Sequence, residues 1–500
     1  MTQRTFQLSA ERRQLLEKML RARGVDAKLP ARIEPRTEAG PVPLSFAQQR
    51  LWFLHQLEPN AAHYHIVRVV RLGGRLDIAA LAAALGGVVQ RHEALRTVFR
   101  SGDGEPQQVT LPPNVALPLI DLSGVSPAAR EATAHRLAGD SIGQPFDLSH
   151  GPLLRVVLLR LGPTDHIAAL AMHHIVSDEW SMGIFIRELA TLYEAAGAGQ
   201  PPNATALPPL EIQYPDFAIW QRRWLRGEVF ADRLAYWRQQ LAGAPEILEL
   251  PTDRPRPRVA SFRGARRSIA FDAPLAAAIE ALGRRHGATQ FITLTAAFKA
   301  LLAQYCQRSD IVIGAVIANR DRAELEPLIG FFVNTLVLRT HLGGDPTFVE
   351  LIARQRQVAE GAYAHQELPF EKLVDELKPE RDPGYNPLFQ VAFVFQNAAT
   401  TQHQLPGLTI RPVAGEAGVA RFDLTLVMGP AEDGLTCWMD YRTDLFDATT
   451  IARMLVGLRS LLASVAADEN LRLSQSPLLG RVERHQLIRE WGSCPAASLS

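Results

Sequence analysis

Cysteine is scarce: Cys306, Cys437 and Cys494 are the only three, far apart, odd in number and never in a CxxC spacing. That argues against a disulfide framework or a zinc site and fits a reducing compartment. Neither sign of charge dominates. Lys and Arg number 53 against 52 Asp and Glu, a formal net charge of +1, so nothing draws the chain as a whole toward nucleic acid or an anionic membrane. No apolar run reaches the roughly 18 residues of a membrane span. The stretch Met1 to Thr5 lacks the apolar core of a signal peptide. A cytoplasmic location is the expectation. What is abundant is apolar residue, 47% of a 500-residue chain, too much for one ordinary core and suited to two lobes.

Along the chain, Leu8 to Arg23 reads as an amphipathic helix, with Leu15, Leu16, Met19 and Leu20 in one stripe and Gly24 to end it. Asp26 to Pro43 is Pro-rich and charged, a linker. Ser45 to Leu57 and Asp77 to His92 follow helical patterns. Tyr64 to Leu72, Thr97 to Arg100, Leu153 to Leu161 and Ile167 to Met172 read as strands. Ser181 to Ala196 has helical spacing. Gly197 to Pro209 is the clearest internal linker. Beyond it, helices are expected around Pro215 to Leu241, Pro274 to His286, Thr293 to Tyr305 and Thr449 to Ala466. Strands are expected near Ile311 to Ile317, Phe332 to Thr340, Val391 to Gln396, Thr425 to Met428 and Leu435 to Tyr441. Strands alternating with helices on both sides of a linker point to two α/β sandwiches. Ser474 to Trp491 reads as a further linker carrying a helix.

The stretch Met172 to Ser181 (MHHIVSDEWS) carries the chemistry. It leaves a buried strand and enters a helix, a place from which side chains project into a cleft. Adjacent His173 and His174 point in different directions, so one of them readily faces a substrate. Asp178, four residues after His174, can orient an imidazole or brace the loop. Taken alone, the pattern is also compatible with a structural pair. A metal site is disfavoured because no third ligand set stands out.

The stretch has company. Ser45 to Leu54 (SFAQQRLWFL) and Arg91 to Phe99 (RHEALRTVF) precede it. Tyr214 to Trp220 (YPDFAIW), Ile329 to Arg339 (IGFFVNTLVLR), His365 to Val374 (HQELPFEKLV) and Arg381 to Gln390 (RDPGYNPLFQ) follow it. In this order the seven resemble the core motifs of the condensation domains of nonribosomal peptide synthetases, with MHHIVSDEWS in the place of HHxxxDG. The resemblance spans Ser45 to Gln390 and continues to about Ala466. It implies an α/β fold of two chloramphenicol acetyltransferase-like sandwich lobes forming a V-shaped pseudo-dimer. It implies residues 1–43 as a helix and linker from an upstream module and 44–196 as the N-terminal lobe. Residues 197–210 would link the lobes, 211–473 would form the C-terminal lobe, and 474–500 would lead toward a downstream adenylation domain.

The implied reaction is attack of an acceptor amine on a donor thioester. Both groups would ride on phosphopantetheine arms of upstream donor and downstream acceptor carrier proteins, with no cofactor bound by the domain itself. His174 is the implied catalytic residue, since an imidazole titrates near neutral pH and can accept or share the amine's proton. His173 and Asp178 accompany it in the motif. Arg320 resembles the arginine that bridges to that aspartate from the second lobe and clamps the two lobes at the active site, and Ser181 and Asn334 are further polar residues expected there. Trp52, Trp220 and Phe332 read as core. One position departs from the family: Glu179 stands where Gly is usual, bringing bulk and charge, and is a candidate contact for the acceptor amine. HHxxxD argues against the heterocyclising relatives, which carry DxxxxD, and Glu179-Trp180-Ser181 does not match epimerising ones. The motifs look most like the type joining two L-residues. A non-catalytic carrier-binding or recruiting domain of the same fold is the alternative.

Overall fold

The computed structural model describes residues 32–38, 40–60, 62–101, 104–200, 207–380, 382–396, 405, 407–413 and 418–476. The helix expected over Leu8 to Arg23, Cys494 and most of the stretch from Ser474 to Trp491 lie outside them. The chain packs into two compact units. The first takes the described residues of Met1–Val229, Arg320–Phe332 and His403–Pro412; the second takes those of Phe230–Asn319, Val333–Gln402 and Val413–Ser500. Each unit is therefore discontinuous in sequence, whereas the linker-based division runs straight along the chain.

In the first unit, β1 (Val42–Pro43), helix α1 (Phe46–Leu57), β2 (His65–Gly73), helix α2 (Ile78–Arg91), β3 (Thr97–Ser101), β4 (Pro106–Thr110), β5 (Leu119–Asp121), helix α3 (Pro127–Gly143), β6 (Leu154–Gly162), β7 (Asp165–His173), helix α4 (Glu179–Gly197) and helix α5 (Tyr214–Trp224) follow in order. A five-stranded sheet runs edge strand Thr409–Pro412, β2, β7, β6, β5; β1, β4 and β3 form a smaller sheet. The register His65↔His173 and Leu154↔Met172 makes β7 a central strand, hydrogen-bonded on both sides. Its side chains alternate between faces. Ile167 and Ala169 join the core that includes Ala134 and Ala138 of α3. On the other face, Leu170 and Met172 join the core built by α2 and α4.

The second unit contains helix α6 (Gly227–Leu241, beginning just before its boundary), β8 (Gly264–Asp272), helix α7 (Ala273–Arg285), helix α8 (Gln290–Cys306), β9 (Asp310–Ile317), β10 (Asn334–His341), helix α9 (Phe348–Ala364), helix α10 (Phe370–Leu377) and β11 (Val391–Phe395). The strand at Thr409–Pro412, β12, belongs to the first unit. Strands β13 (Leu424–Ala431) and β14 (Gly434–Arg442) and helix α11 (Ala448–Ala467) complete the second. Its six-stranded sheet is ordered β10, β9, β11, β13, β14, β8, with β11 parallel to both neighbours and the other pairs antiparallel. This is the mixed α/β arrangement expected from the alternating pattern.

The stretch Pro215 to Leu241 forms two helices rather than one. Gly227, at φ 55°, adopts a left-handed conformation that favours glycine and starts α6 on a new axis. Among the described residues, α11 is long and apolar enough to cross a membrane, where no such run was expected. Ile451, Met454, Leu455, Leu458, Leu461 and Leu462 are all buried, the pattern of a core helix.

Candidate active site

Strand β7 ends at His173, and a single 3₁₀ turn, His174–Val176, leads to Asp178 and α4. His173 is 2% exposed. Its Nδ1 accepts the Ile175 N–H at 3.1 Å, capping the 3₁₀ turn, and its ring lies within 6.1–6.5 Å of those of His55, Tyr64, His65 and Phe146. His174 is half-buried. Its Nδ1 lies 2.8 Å from the Ser177 carbonyl oxygen, which can only accept, so Nδ1 carries the proton and the basic lone pair falls on Nε2. The ring packs edge-on against Phe331, centroids 4.9 Å apart. The two histidines thus divide: one braces the turn from inside, the other is fixed in one tautomer.

Asp178 is fully buried and caps α4, accepting the Ser181 N–H at 2.8 Å. It also accepts the Phe332 N–H at 3.0 Å and the Arg320 guanidinium at 3.2 Å. Arg320 Nη1 donates to the carbonyls of Leu325 and Leu328 at 2.6 and 2.7 Å, Nη2 donates to Ser181 Oγ at 2.8 Å, and the guanidinium stands 4.2 Å from the Phe332 ring centre. Burial pulls the Arg320 pKa down and Asp178 opposes that shift. Ser181 Oγ uses its full capacity: it donates to the Gly330 carbonyl at 2.9 Å and accepts from the Gly330 N–H and from Arg320. Asp178, Ser181 and Arg320 therefore form one closed network that fixes the segment 320–332 against the start of α4, all inside the first unit, whereas the resemblance placed Arg320 in the second lobe as a bridge between the two.

Asn334 lies in the second unit. Its amide donates to the carbonyls of Gln366 and Leu368 and accepts from the N–H groups of Thr335 and Phe370, at 2.8–2.9 Å, tying β10 to the stretch that opens α10. Glu179, first residue of α4, ion-pairs with Arg68 of β2; the two side chains are 59% and 39% exposed. A carboxylate also suits the positive end of a helix. Exposed pairs contribute little, so Glu179→Gln should shift unfolding free energy by less than about 1 kcal/mol in a denaturant titration. Phe332 is buried as expected, and Trp52 and Trp220 are partly buried against apolar clusters.

Several residues of the arrangement escaped the sequence reading. Gln48 of α1 donates to the Ile175 carbonyl at 3.2 Å, bracing the histidine turn. The Tyr214 hydroxyl donates to the Phe331 carbonyl at 2.7 Å and stands 2.9 Å from Ser45 Oγ. Its ring passes so close to Gly330 that a Cβ there would sit 1.9 Å from it, which explains a glycine at this point. All these residues sit inside the quoted motifs; polar residues within apolar patterns were the available signal.

His92, 1% exposed, holds the same segment: Nδ1 accepts the Ile329 N–H at 3.3 Å and Nε2 lies 2.7 Å from Glu188, itself paired with Arg91. Burial lowers the His92 pKa, with the Glu188 bond opposing and the Arg91 and Arg320 charges adding to the fall. A histidine whose pKa falls on folding leaves the unfolded chain holding more protons below about pH 6.5, so stability drops as pH falls from there. Acidification should lower the unfolding free energy by up to about 1.4 kcal/mol per pH unit for this one group. His92→Gln should be less stable at pH 7.5 yet lose less between pH 7 and 5.5; equal losses would exclude His92 as a contributor.

A family-wide sequence profile, Condensation domain, matches residues 38–488. A linear gramicidin synthase of Brevibacillus parabrevis is 47% identical over 459 residues, 91% of this chain and 9% of that protein. Phosphinothricin tripeptide synthetase PhsC of Streptomyces viridochromogenes is 44% identical over 484 residues, 96% of this chain and 44% of that protein. The chain thus spans less than half of the length of either synthetase. Among solved structures, the X-domain from teicoplanin biosynthesis superposes with a TM-score of 0.79 at 31% identity, covering 90% of this chain and all of the other. The first condensation domain of the calcium-dependent antibiotic synthetase gives 0.72 at 23% identity, covering 88% of this chain and all of the other, a likeness of fold. The chain belongs to the condensation-domain family of nonribosomal peptide synthetases.

Proposed function

We propose that this chain forms a peptide bond by transferring the acyl group of a donor aminoacyl or peptidyl thioester to the amine of an acceptor aminoacyl thioester. Both substrates would be tethered to phosphopantetheine arms of partner carrier proteins, and the domain would bind no cofactor of its own. The observation that carries the reading is the Ser177 carbonyl on His174 Nδ1, which leaves a basic nitrogen at the centre of the family motif. As the acceptor nitrogen attacks the thioester carbon, Nε2 takes or shares its proton, the C–S bond breaks to release the donor arm as a thiolate, and that same proton passes from the imidazole to the sulfur, leaving the neutral histidine and the thiol. Holding two tethered reactants together contributes alongside proton transfer. Asp178, Ser181 and Arg320 act as positioning residues for the histidine turn. His173 supports the same turn, and Asn334 orders its own unit.

Reacting loaded donor and acceptor carriers with the chain and weighing the acceptor arm by mass spectrometry tests this: the arm should gain the mass of the donor acyl group. A second reading, a carrier-binding or recruiting domain, draws support from Glu179 and from the likeness to the X-domain, which has also been solved in complex with OxyB. Carrier binding without any acyl transfer would favour it.

A further inference from the structure

The first unit contains a cavity of about 140 Å³ between its sheet and helices α2 and α4, closed on one side by β12. Its lining is apolar, Met182 and Phe185 among aliphatic side chains, except for one charged residue, Arg68. Two walls are alanine: Ala168 on β7 and Ala190 on α4. Ala168 and Leu170 remain partly accessible on a central strand whose alternate residues, Ile167 and Ala169, are at most 1% exposed. The accessible surface belongs to the void. Protein interiors normally fill such space, and a larger side chain at either alanine would do so. An apolar cavity of about 150 Å³ stays dry and admits a benzene-sized guest.

The cavity shares two elements with the site, β7 and α4. Its wall on α4 begins with Met182, one turn after the cap Asp178, and its wall on β7 runs through Leu170 toward His174. Arg68 both lines the cavity and reaches solvent, and its guanidinium is held by Glu179, the residue that replaces the family's glycine. Arg68 thus ties one wall of the cavity to the residue that opens α4, five positions after His174, and its charge is neutralised as a pair.

We propose that this cavity is a subsite for an apolar hydrocarbon group of the substrate acyl chain, roughly six carbons in size, with the Arg68–Glu179 pair as its rim. The inference rests on the acyl-transfer reading above, but its test does not need turnover. Hydrocarbon of that size reaches the site either as the side chain of an aminoacyl donor or as the chain of a simple fatty acyl donor. Binding of acetyl, hexanoyl, glycyl and norleucyl thioesters of N-acetylcysteamine to the whole chain, without acceptor, would be measured by titration calorimetry.

Burial of four methylenes should make at least one long member tenfold or more tighter than its short counterpart. An advantage for hexanoyl identifies a fatty chain as the occupant, and one for norleucyl identifies a side chain. In Ala190→Leu and in Ala168→Leu the advantage should collapse to less than about threefold, while acetyl binding and the melting temperature hold or rise. Equal affinities for long and short members would overturn the proposal, as would an advantage that survives both filled variants. If the preference holds while no acyl transfer is detected, the subsite stands and the reaction assigned to it falls.

Discussion

Replacing His174 with alanine should slow acyl transfer between loaded carriers by about 10²–10⁴-fold, the span typical of losing a well-placed proton acceptor. The ring is held at its Nδ1 edge by the Ser177 carbonyl and packs against Phe331, so its orientation is set before substrate arrives. The variant should fold: His174 is only half-buried, and the turn it sits on is braced independently by His173, Gln48 and Asp178. Carrier binding, measured separately, should be unchanged. If the rate falls less than tenfold, tethering and alignment carry the reaction and the imidazole does not supply its proton acceptor. His173→Ala separates the two histidines. It removes a buried ring and the cap of the turn, so it should lower stability first and rate second. A rate loss in His173→Ala that exceeds that of His174→Ala, in a protein of unchanged stability, would reverse the assignment.

The strand, turn and helix that carry His174 were legible in the sequence because each depends on local pattern, whereas the role given to the histidine came from the family resemblance. A buried strand rich in Ala, Leu and Met, an Asp at the helix cap and a helical apolar stripe are all short-range signals. Elements with weak patterns were missed. Helix α3 buries only Ala134 and Ala138, so it has no apolar stripe to read, and the edge strand β8 is mostly exposed. The units were harder still. Segment 320–332 sits between two strands of the second unit in sequence yet packs in the first, and β12 pairs with β2 across more than 300 residues. No periodicity encodes such crossings. The Asp178–Arg320 pairing was reached through family resemblance. Its surroundings, above all Ser181 satisfied three ways and Tyr214 against Gly330, emerge only in three dimensions.

Removing one partner of the Asp178–Arg320 pair should destabilise the protein more than any other single substitution in the site. Both side chains are at most 1% exposed. Separating a buried pair by deleting one charge typically costs about 3–5 kcal/mol, because the other charge stays behind without compensation. Asp178→Ala loses more than the pair: it also deprives Ser181 and Phe332 of the acceptor for their N–H groups and removes the cap of α4. A fall in melting temperature on the order of 10 °C is expected. Arg320→Met keeps volume and removes the charge, leaving Asp178 with two backbone donors and the Leu325 and Leu328 carbonyls without theirs. It should therefore be destabilised too, though by less than Asp178→Ala. The double variant Asp178→Asn/Arg320→Met leaves no buried charge and retains an acceptor for the cap, so it should recover part of the loss, and the coupling from the cycle it closes with the single variants Asp178→Asn and Arg320→Met should be well above 1 kcal/mol. Strict additivity of the two single changes would show that the pair is not coupled and that the caps and carbonyl bonds alone hold segment 320–332 in place.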